Sequence, residues 1–412
     1  MHPFRNTVLS RPTAWMAWAT ASFFYSYQYI LRVMPNIMMN DIVQQFHIDA
    51  ALFGQFSGVY YIGYALMHIP LGILLDRFGV KKVIPVCILF TVLGLFPILF
   101  AEHWIYSIIG RAFIGMGSSA AILGLFKIIR LVFEEKRFTR MLSFSVTIGL
   151  LGAIYGGGPV NYLCTLFGYK TVTALFAVIG VALSLVMGWM LPTVKPSGKT
   201  ISVISQIKTV LRSSKMLQIC FLAGLMVGPL EGFADVWGSE FLKQIYGLEG
   251  LAAASLPSAI FMGMCFGAPI LSFIAEKTKS DFATIIGAGA VMTVGFLILL
   301  SAPKISVESI SAMFILIGIC CAYQIIAIYK ASTYVKEEVV GLTTAIANMI
   351  IMTFGYAFHS VIGYLINHMG GTNNPTAFIG GIAVIPIALG IGTIGLTIIA
   401  IQEHTSGSKK RI

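Results

Sequence analysis

The sequence predicts an all-α membrane protein with twelve transmembrane helices in two pseudo-symmetric six-helix bundles. Of its 412 residues, 57% are hydrophobic and only 10% are charged, whereas soluble domains carry about 25% charged residues. Twelve apolar segments approach the length of about 20 residues that a helix needs to cross a bilayer. Short motifs of the first half recur in the second half at an almost constant offset, which is typical of transporters built from two related bundles.

The apolar segments follow one another with short polar connections between them. The predicted spans are 13–34, 52–75, 83–100, 105–129, 141–163, 169–191, 216–240, 254–275, 283–301, 309–332, 340–366 and 378–400. The N-terminus Met1–Thr13 has no apolar region followed by a small-residue cleavage site, and the first apolar segment continues past Ile30. We therefore expect it to be retained as the first span rather than removed as a signal peptide.

A polar stretch at 192–215 interrupts the apolar pattern near the middle of the chain. It contains Pro192, Pro196 and five basic residues, and we interpret it as a cytoplasmic linker. Its part at 201–212 is expected to form an amphipathic helix on the membrane surface. The predicted organisation is an N-terminal bundle at 1–191, the linker at 192–215, a C-terminal bundle at 216–402 and a cytoplasmic tail at 403–412.

The basic residues are distributed unevenly between the two sides of the predicted membrane. With the N-terminus inside, twenty of the 27 Lys and Arg residues fall on the inner side, three outside and four within spans or at their ends. This positive-inside pattern predicts a multi-pass protein with both termini cytoplasmic, and we expect it in a bacterial inner (plasma) membrane. The net charge of +11 therefore indicates orientation and contact with lipid rather than a nucleic-acid partner.

Two pairs of motifs carry the internal repeat. Phe126-Lys127 recurs as Tyr329-Lys330 at an offset of 203 residues, and the glutamate pairs that follow keep the same offset. The segment 72–77 is echoed by 272–277 at an offset of 200. Two bundles of common origin favour a carrier that opens alternately to each side of the membrane over a single-bundle channel.

The sequence contains no residue pattern typical of an enzyme or a metal site. It has no GxSxG, HExxH or G-x-x-x-x-G-K-[ST] motif, and the lack of the last argues against a pump driven by ATP. The six cysteines include no CxxC pair and lie mostly inside apolar segments, which indicates small membrane-buried side chains. We expect a monomer without enzymatic activity, cofactor or metal.

The most specific motif lies between the second and third predicted spans. The segment 72–82, Gly-Ile-Leu-Leu-Asp-Arg-Phe-Gly-Val-Lys-Lys, resembles at every signature position the loop motif G-x-x-x-D-R-x-G-x-K-K of the major facilitator superfamily. The resemblance implies a twelve-helix transporter in which Asp76 and Arg77 lock an inner gate through ionic contacts to neighbouring helix ends. The implied gate comprises Gly72, Asp76, Arg77, Gly79 and Lys81, with Glu276 and Lys277 as its degenerate second copy.

Three further segments resemble parts of the same superfamily. The segment 111–117 resembles the fourth-helix signature R-x-x-x-G-x-G, which implies that Arg111 acts in proton coupling or substrate binding. The segment 149–159 resembles a fifth-helix signature linked to antiporters, but small residues at a spacing of four also let helices approach closely. The segment 25–35 resembles the first helix of proteobacterial transporters of the intraphagosomal amino-acid class.

Placing an ionisable side chain in the bilayer costs about 2.5–3.5 kcal/mol of insertion free energy. Ionisable residues inside the predicted spans therefore face a cavity or a partner and are candidate site residues. Arg32 shares one face of the first span with Gln28 and lies near Tyr25. It is a candidate to bind a carboxylate or a phosphate, and the alternative is that it extends to the outer headgroups. Glu231 and Asp235 share one face of the seventh span.

The offset of 203 residues relates Gln28 to Glu231 and Arg32 to Asp235. We expect these positions to face one another across a central cavity. There they form a substrate site, or Arg32 and Asp235 form an ion pair that holds the two halves together.

Four other ionisable residues are candidates with a structural alternative. Arg111 either acts in binding and coupling or makes a packing hydrogen bond to backbone carbonyls. Lys127 and Lys330 are either lysines of the cavity or inner-surface residues that extend to the headgroups. His359 is either a proton carrier or a hydrogen-bonded packing residue.

The sequence is interpreted as that of a secondary active transporter. It is predicted to take up a small polar metabolite, an amino acid or similar zwitterion, together with protons that Glu231, Asp235 or His359 carries. Three alternatives remain open. They are an importer of organic anions or carboxylate siderophores, a drug-type proton antiporter, and a membrane scaffold or receptor that transports nothing.

Overall fold

The computed structural model describes residues 11–191, 203–301, 305–336 and 339–409, and these residues form helices and connections without a β-strand. The chain divides into two compact units, the second of which begins at Ile201. The short segment Gly250–Ser255 belongs to the first unit. The beginning of the predicted linker, 192–202, lies outside the described residues.

The first unit contains the helices of the N-terminal half together with one short helix from beyond it. Its helices are α1 (Arg11–Ile37), α2 (Met39–Phe46), α3 (Ala50–Phe78), α4 (Val80–Leu93), α5 (Phe96–Phe100), α6 (Trp104–Val132), α7 (Phe138–Gly156), α8 (Gly158–Phe167) and α9 (Tyr169–Met190). The second unit begins with α10 (Val203–Leu211), where an amphipathic helix was predicted, and continues with α11 (Ser214–Gly232). A π-helical segment, Phe233–Trp237, then joins α11 to α12 (Gly238–Tyr246).

The remaining helices belong to the second unit, except for α13 in the first. They are α13 (Gly250–Ser255), α14 (Ser258–Thr278), α15 (Asp281–Ser301), α16 (Val307–Cys321), α17 (Tyr323–Ser332), α18 (Val340–His368) and α19 (Pro375–Lys409). The last helix continues through most of the segment 403–412 that was predicted as a tail.

Ten stretches of helix in the described part of the chain are long and apolar enough to cross a membrane. The pair α7 and α8, which meet at an angle of 41°, makes an eleventh. The first predicted span, 13–34, coincides with α1, whose 27 residues are also long enough but include Gln28 and Arg32. These stretches coincide with the predicted spans, and the protein is an integral, multi-pass membrane protein.

The internal repeat is visible in how helices pack within each unit. In the first unit, a Cβ atom on Gly115 of α6 would overlap the carbonyl oxygen of Tyr60 on α3. In the second unit, a Cβ atom on Gly318 of α16 would overlap the carbonyl oxygen of Ile260 on α14. The two glycines differ by the offset of 203 and their partners by the offset of 200, so each unit contains the same close helix crossing.

The small-residue face of the predicted fifth span is a packing surface. Added Cβ atoms on Gly149, Gly152 and Gly156 of α7 would meet Tyr25, Ser26 and Val33 of α1 respectively. The close approach of α1 and α7 therefore accounts for these glycines without reference to the direction of transport.

Candidate functional site

Arg32 of α1 lies inside the first unit. Its side chain is only 7% exposed, and its guanidinium group lies 5.1 Å from the ring centroids of both Tyr29 and Tyr61. Such cation–π contacts are worth about 0.5–2 kcal/mol each, depending on desolvation. Arg32 therefore packs among aromatic side chains of α1 and α3 and does not extend along the surface of the unit.

The other two candidates of the first helix lie in the same cluster. The Tyr60 hydroxyl donates a hydrogen bond of 2.7 Å to Oε1 of Gln28, and Tyr25 packs edge-to-face on Tyr29 with ring centroids 5.2 Å apart. We call the five tyrosines around Arg32 the tyrosine cluster. It consists of Tyr25, Tyr29, Tyr60, Tyr61 and Tyr64.

Sequence reasoning missed the contribution of α3 to this cluster. Tyr60 stacks on Tyr64 with centroids 6.0 Å apart, and Tyr64 lies 4.8 Å from the ring of His68. The three side chains recur at intervals of four residues, which places them on one helical face. That spacing was a usable signal, but only the tertiary structure shows that Tyr60 of this face contacts Gln28 of α1.

Arg111 of α6 binds the backbone of α1. Its Nη1 donates to the Leu31 carbonyl and its Nη2 to the Arg32 carbonyl, both at 2.6 Å. Pro35 lies inside α1, four residues after Leu31, and has no N–H to donate to that carbonyl. Arg111 supplies the missing donor, and its guanidinium group lies directly beside the backbone of Arg32.

The first unit carries its buried charge as cations. Arg32 and Arg111 are 7% and 2% exposed, whereas the six carboxylates of residues 1–200 all lie in connections, in the short helix α2 or at helix ends. An anionic group that enters this unit would therefore be attracted to the tyrosine cluster at Arg32.

The second unit carries its buried charge as carboxylates. Glu231 is 6% exposed and Asp235 is 0% exposed. Asp235 lies within the π-helical segment that interrupts the long span of α11 and α12. Single π-turns inside α-helices occur frequently at functional sites. The sequence placed both acids on this span but contained no sign of the π-helical turn.

His359 of α18 contacts the segment that carries the two acids. Its Nε2 lies 3.3 Å from the carbonyl oxygen of Glu231. Since a carbonyl can only accept, Nε2 carries the hydrogen in this contact. The Trp237 indole donates in return to the His359 carbonyl at 3.2 Å. His359 therefore contacts the helical segment that carries Glu231 and Asp235.

Glu240 is a further buried acid of this unit that sequence reasoning missed. It is 6% exposed and accepts hydrogen bonds from Lys243 at 3.0 Å and from Gln244 at 3.1 Å. All three residues lie on α12, one turn apart, so they neutralise and solvate the carboxylate within one helix. Glu240 therefore forms an ion pair with Lys243 within α12.

The signature loop joins α3 to α4 through a single residue, Gly79. Its φ of 77° is a conformation that favours glycine. The Asp76 carboxylate forms an ion pair with Lys127 on α6, and the Arg77 guanidinium group lies 5.4 Å from the Phe78 ring. The contact between Asp76 and Lys127 is the kind of ionic link to a neighbouring helix that the family resemblance implies.

In the second unit the repeat-related lysine has a different partner. Lys330 forms an ion pair of 3.2 Å with Glu403 near the end of α19, while Glu276 and Lys277 are exposed at the end of α14. The Tyr334 hydroxyl also donates to Glu403. Burial, together with this carboxylate, raises the pKa of Tyr334 above its usual value. The carboxylate that binds Lys330 therefore comes from the last helix, not from the second copy of the loop.

A family profile decides the classification. The profile of the Major Facilitator Superfamily matches residues 16–358. The chain belongs to the major facilitator superfamily. Members of this superfamily are transporters that bind small molecules and are typically not enzymes.

Two relatives in bacteria are similar over most of their length. The nitrite extrusion protein of Bacillus subtilis (strain 168) is 21% identical over 330 residues, which cover 78% of this chain and 79% of the relative. The chloramphenicol resistance protein CraA of Acinetobacter baumannii is 24% identical over 384 residues, which cover 89% of each.

Two solved transporters share the fold. A bacterial homologue of the human lysosomal transporter Spinster, in an inward-facing and unoccupied conformation, matches 95% of this chain and 96% of its own with a TM-score of 0.73 and 16% identity. A mutant of the nucleoside transporter NupG matches 93% of this chain and 99% of its own with a TM-score of 0.73 and 14% identity.

Proposed function

We propose that this superfamily member takes up a small zwitterion, an amino acid or similar compound, together with protons by alternating access. The observation that carries the proposal is the separation of buried charge between the units. The first unit contains Arg32 within the tyrosine cluster, and the second contains Glu231 and Asp235 beside a π-helical turn. A molecule with a carboxylate and an ammonium group suits this pair of environments.

Arg32 is proposed to bind the substrate carboxylate. A guanidinium group offers two parallel N–H donors that match a carboxylate. Tyr29 and Tyr61 hold the group between their rings, which limits the side-chain freedom lost on binding. Gln28, oriented by Tyr60, offers a neighbouring amide to the substrate.

Asp235 and Glu231 are proposed to bind the ammonium group and to exchange the coupled proton. Carboxyl groups within membrane spans are a usual component of proton relays in transporters. His359 contacts the same segment and is the third candidate for the proton path. Arg111 acts indirectly, because both of its Nη atoms bind backbone carbonyls of α1.

The proposal includes the orientation and the gate. The positive-inside pattern supports cytoplasmic termini in an inner membrane, with the protein acting as a monomer. On that orientation the Asp76–Lys127 pair lies on the inner side, where it would stabilise the state closed to the cytoplasm. Both partners belong to the first unit, so the pair would fix the end of α3 and the signature loop against α6.

Paired analogues test the substrate class. Thermal shift of the purified protein is measured with amino acids, their amides and their N-acetyl forms, and with di- and tricarboxylates. We expect stabilisation by free zwitterions to exceed that by either blocked form. The best compound is then followed into proteoliposomes, where uptake should rise with an inward proton gradient. Di- or tricarboxylates that stabilise more strongly than any amino acid would contradict the zwitterion assignment.

A carrier of small anions is the second candidate. The first unit buries two guanidinium groups, and the Bacillus relative is named for extrusion of nitrite. In such a carrier, Glu231 and Asp235 would serve only as structural or coupling groups. The same panel separates the two candidates, since an anion carrier should not respond to the amine of the ligand.

A further inference from the structure

A narrow cavity lies between α3, α4 and α6 of the first unit, away from the tyrosine cluster. Its volume is about 270 Å³. Its walls are almost entirely apolar and include Met67 and Leu74 of α3, Val86 and Phe90 of α4, and Met116 of α6. We call this cavity the α3–α4 groove.

The α3–α4 groove extends along α4 from its first turn. Lys82, in the first turn of α4, lines one end, and Phe90 lies eight residues further along the same helix. At a rise of 1.5 Å per residue the groove is about 12 Å long. Val86 is 52% exposed on this surface, so the groove opens toward the lipid.

The end of the groove at Lys82 is cationic. Lys82 lines it directly and is exposed. Phe78 lines the same end, and the guanidinium group of Arg77 lies 5.4 Å from its ring. The acidic neighbour Asp76 is in an ion pair with Lys127, and Lys82 and Arg77 supply positive charge at this end.

We propose that the α3–α4 groove binds one anionic phospholipid. The phosphate lies between Lys82 and Arg77, and an acyl chain occupies the apolar length of the groove. The cationic end lies at the inner headgroup level in the proposed orientation, where anionic lipids attract basic residues. A phosphocholine or phosphoethanolamine headgroup carries its own ammonium group, which two cations would repel. An anionic headgroup is therefore the better match.

The groove also adjoins the signature loop. Lys82 and Phe78 lie on either side of Gly79, and Asp76 precedes Phe78 by two residues on α3. A lipid in the groove would therefore contact the segment that connects α3 to α4. The lipid composition of the membrane would then affect the loop that carries Asp76, the partner of Lys127.

Native mass spectrometry of the full chain tests the proposal without any transport substrate. The protein is reconstituted into vesicles of equimolar phosphatidylglycerol and phosphatidylcholine with identical chains, returned to mild detergent and purified, and the lipids that remain bound are counted. We expect one phosphatidylglycerol to be retained in preference to phosphatidylcholine. Lys82→Gln should lower that retention about fivefold, the effect of one lysine near an anionic surface.

Two variants separate the groove from general surface charge. Lys81→Gln removes the same charge from the adjacent position, which does not line the groove, and should leave retention unchanged. Val86→Trp fills an exposed position of the groove and should abolish retention while Lys82 remains. Phosphatidylglycerol with six-carbon chains should be retained less than the long-chain form, because it cannot fill the groove.

The outcomes that overturn the proposal are distinct. If Lys81→Gln and Lys82→Gln lower the retention of phosphatidylglycerol equally, the lipid is held by nonspecific charge attraction and not by the groove. Equal retention of phosphatidylglycerol and phosphatidylcholine would refute the preference for an anionic headgroup. Full retention in a Val86→Trp protein that elutes as a folded monodisperse species would refute binding in the groove. None of these results depends on whether the substrate is a zwitterion.

Discussion

Arg111 contacts α1 where Pro35 interrupts its backbone hydrogen bonds. From this contact we predict that the stability lost on replacing Arg111 depends on the residue at position 35. Pro35 leaves the Leu31 carbonyl without its helical donor, and Arg111 supplies one at 2.6 Å. The consequence of removing Arg111 should therefore depend on which residue stands at position 35. We consider Arg111→Gln, Pro35→Ala and the double variant.

The magnitude follows from the two hydrogen bonds. Each has a charged donor, worth about 1.5–3 kcal/mol in soluble proteins, and measured values between membrane helices are lower, about 0.6–2 kcal/mol. Loss of both should lower the free energy of unfolding by about 2–4 kcal/mol. In the Pro35→Ala background, residue 35 regains an N–H that can bond to Leu31. The same Arg111→Gln change should then be about 1–2 kcal/mol less damaging.

The assay is unfolding by sodium dodecyl sulfate in mixed micelles, followed by far-ultraviolet circular dichroism. Four proteins give the coupling free energy between positions 35 and 111. Pro70, a proline inside α3, provides the matched control. Pro70→Ala should leave the effect of Arg111→Gln unchanged. Effects of Pro35→Ala and Arg111→Gln that add to within about 0.5 kcal/mol would refute the proposed compensation.

The remaining predictions concern the gate, the last helix and the repeated helix crossing. Asp76→Asn removes the partner of Lys127, so it should keep ligand binding by thermal shift but lower flux in proteoliposomes at least severalfold. Glu403→Gln should destabilise the protein by about 1–2 kcal/mol because a partly buried Lys330 loses its carboxylate. Gly318→Ala places a Cβ atom against a backbone carbonyl and should cost about 1–3 kcal/mol, as measured by the shift of the unfolding midpoint.

The predictions for Glu403 and Gly318 each have a control variant within the chain. Glu276→Gln, at an exposed position, should change neither stability nor the effect of removing Lys330. Gly287→Ala on α15 has open space around the new Cβ atom and should be neutral or slightly stabilising. A flux through the Asp76→Asn protein equal to that of the wild type would refute a gating role for Asp76. An equal effect of alanine at Gly318 and Gly287 would show that the close crossing of α14 and α16 does not limit stability.

The sequence alone determined the fold class and the family. Apolar segments of membrane length, the uneven distribution of basic residues and the loop motif at 72–82 are local patterns, and a bilayer allows few ways to fold them. The same local reasoning placed Gln28, Arg32 and Tyr25 together, because helical periodicity decides which residues share a face. It also found the two acids of the second unit.

Only the tertiary structure decided which partners these residues meet. The sequence shows both Pro35 and Arg111. That Arg111 binds the Leu31 carbonyl left free by Pro35 depends on the packing of α6 against α1. The choice of Glu403 rather than Glu276 as the partner of Lys330 is also a matter of which helix ends lie together. These contacts join residues 80 and 73 positions apart, and no periodicity along one helix encodes the rotation and depth at which two helices meet.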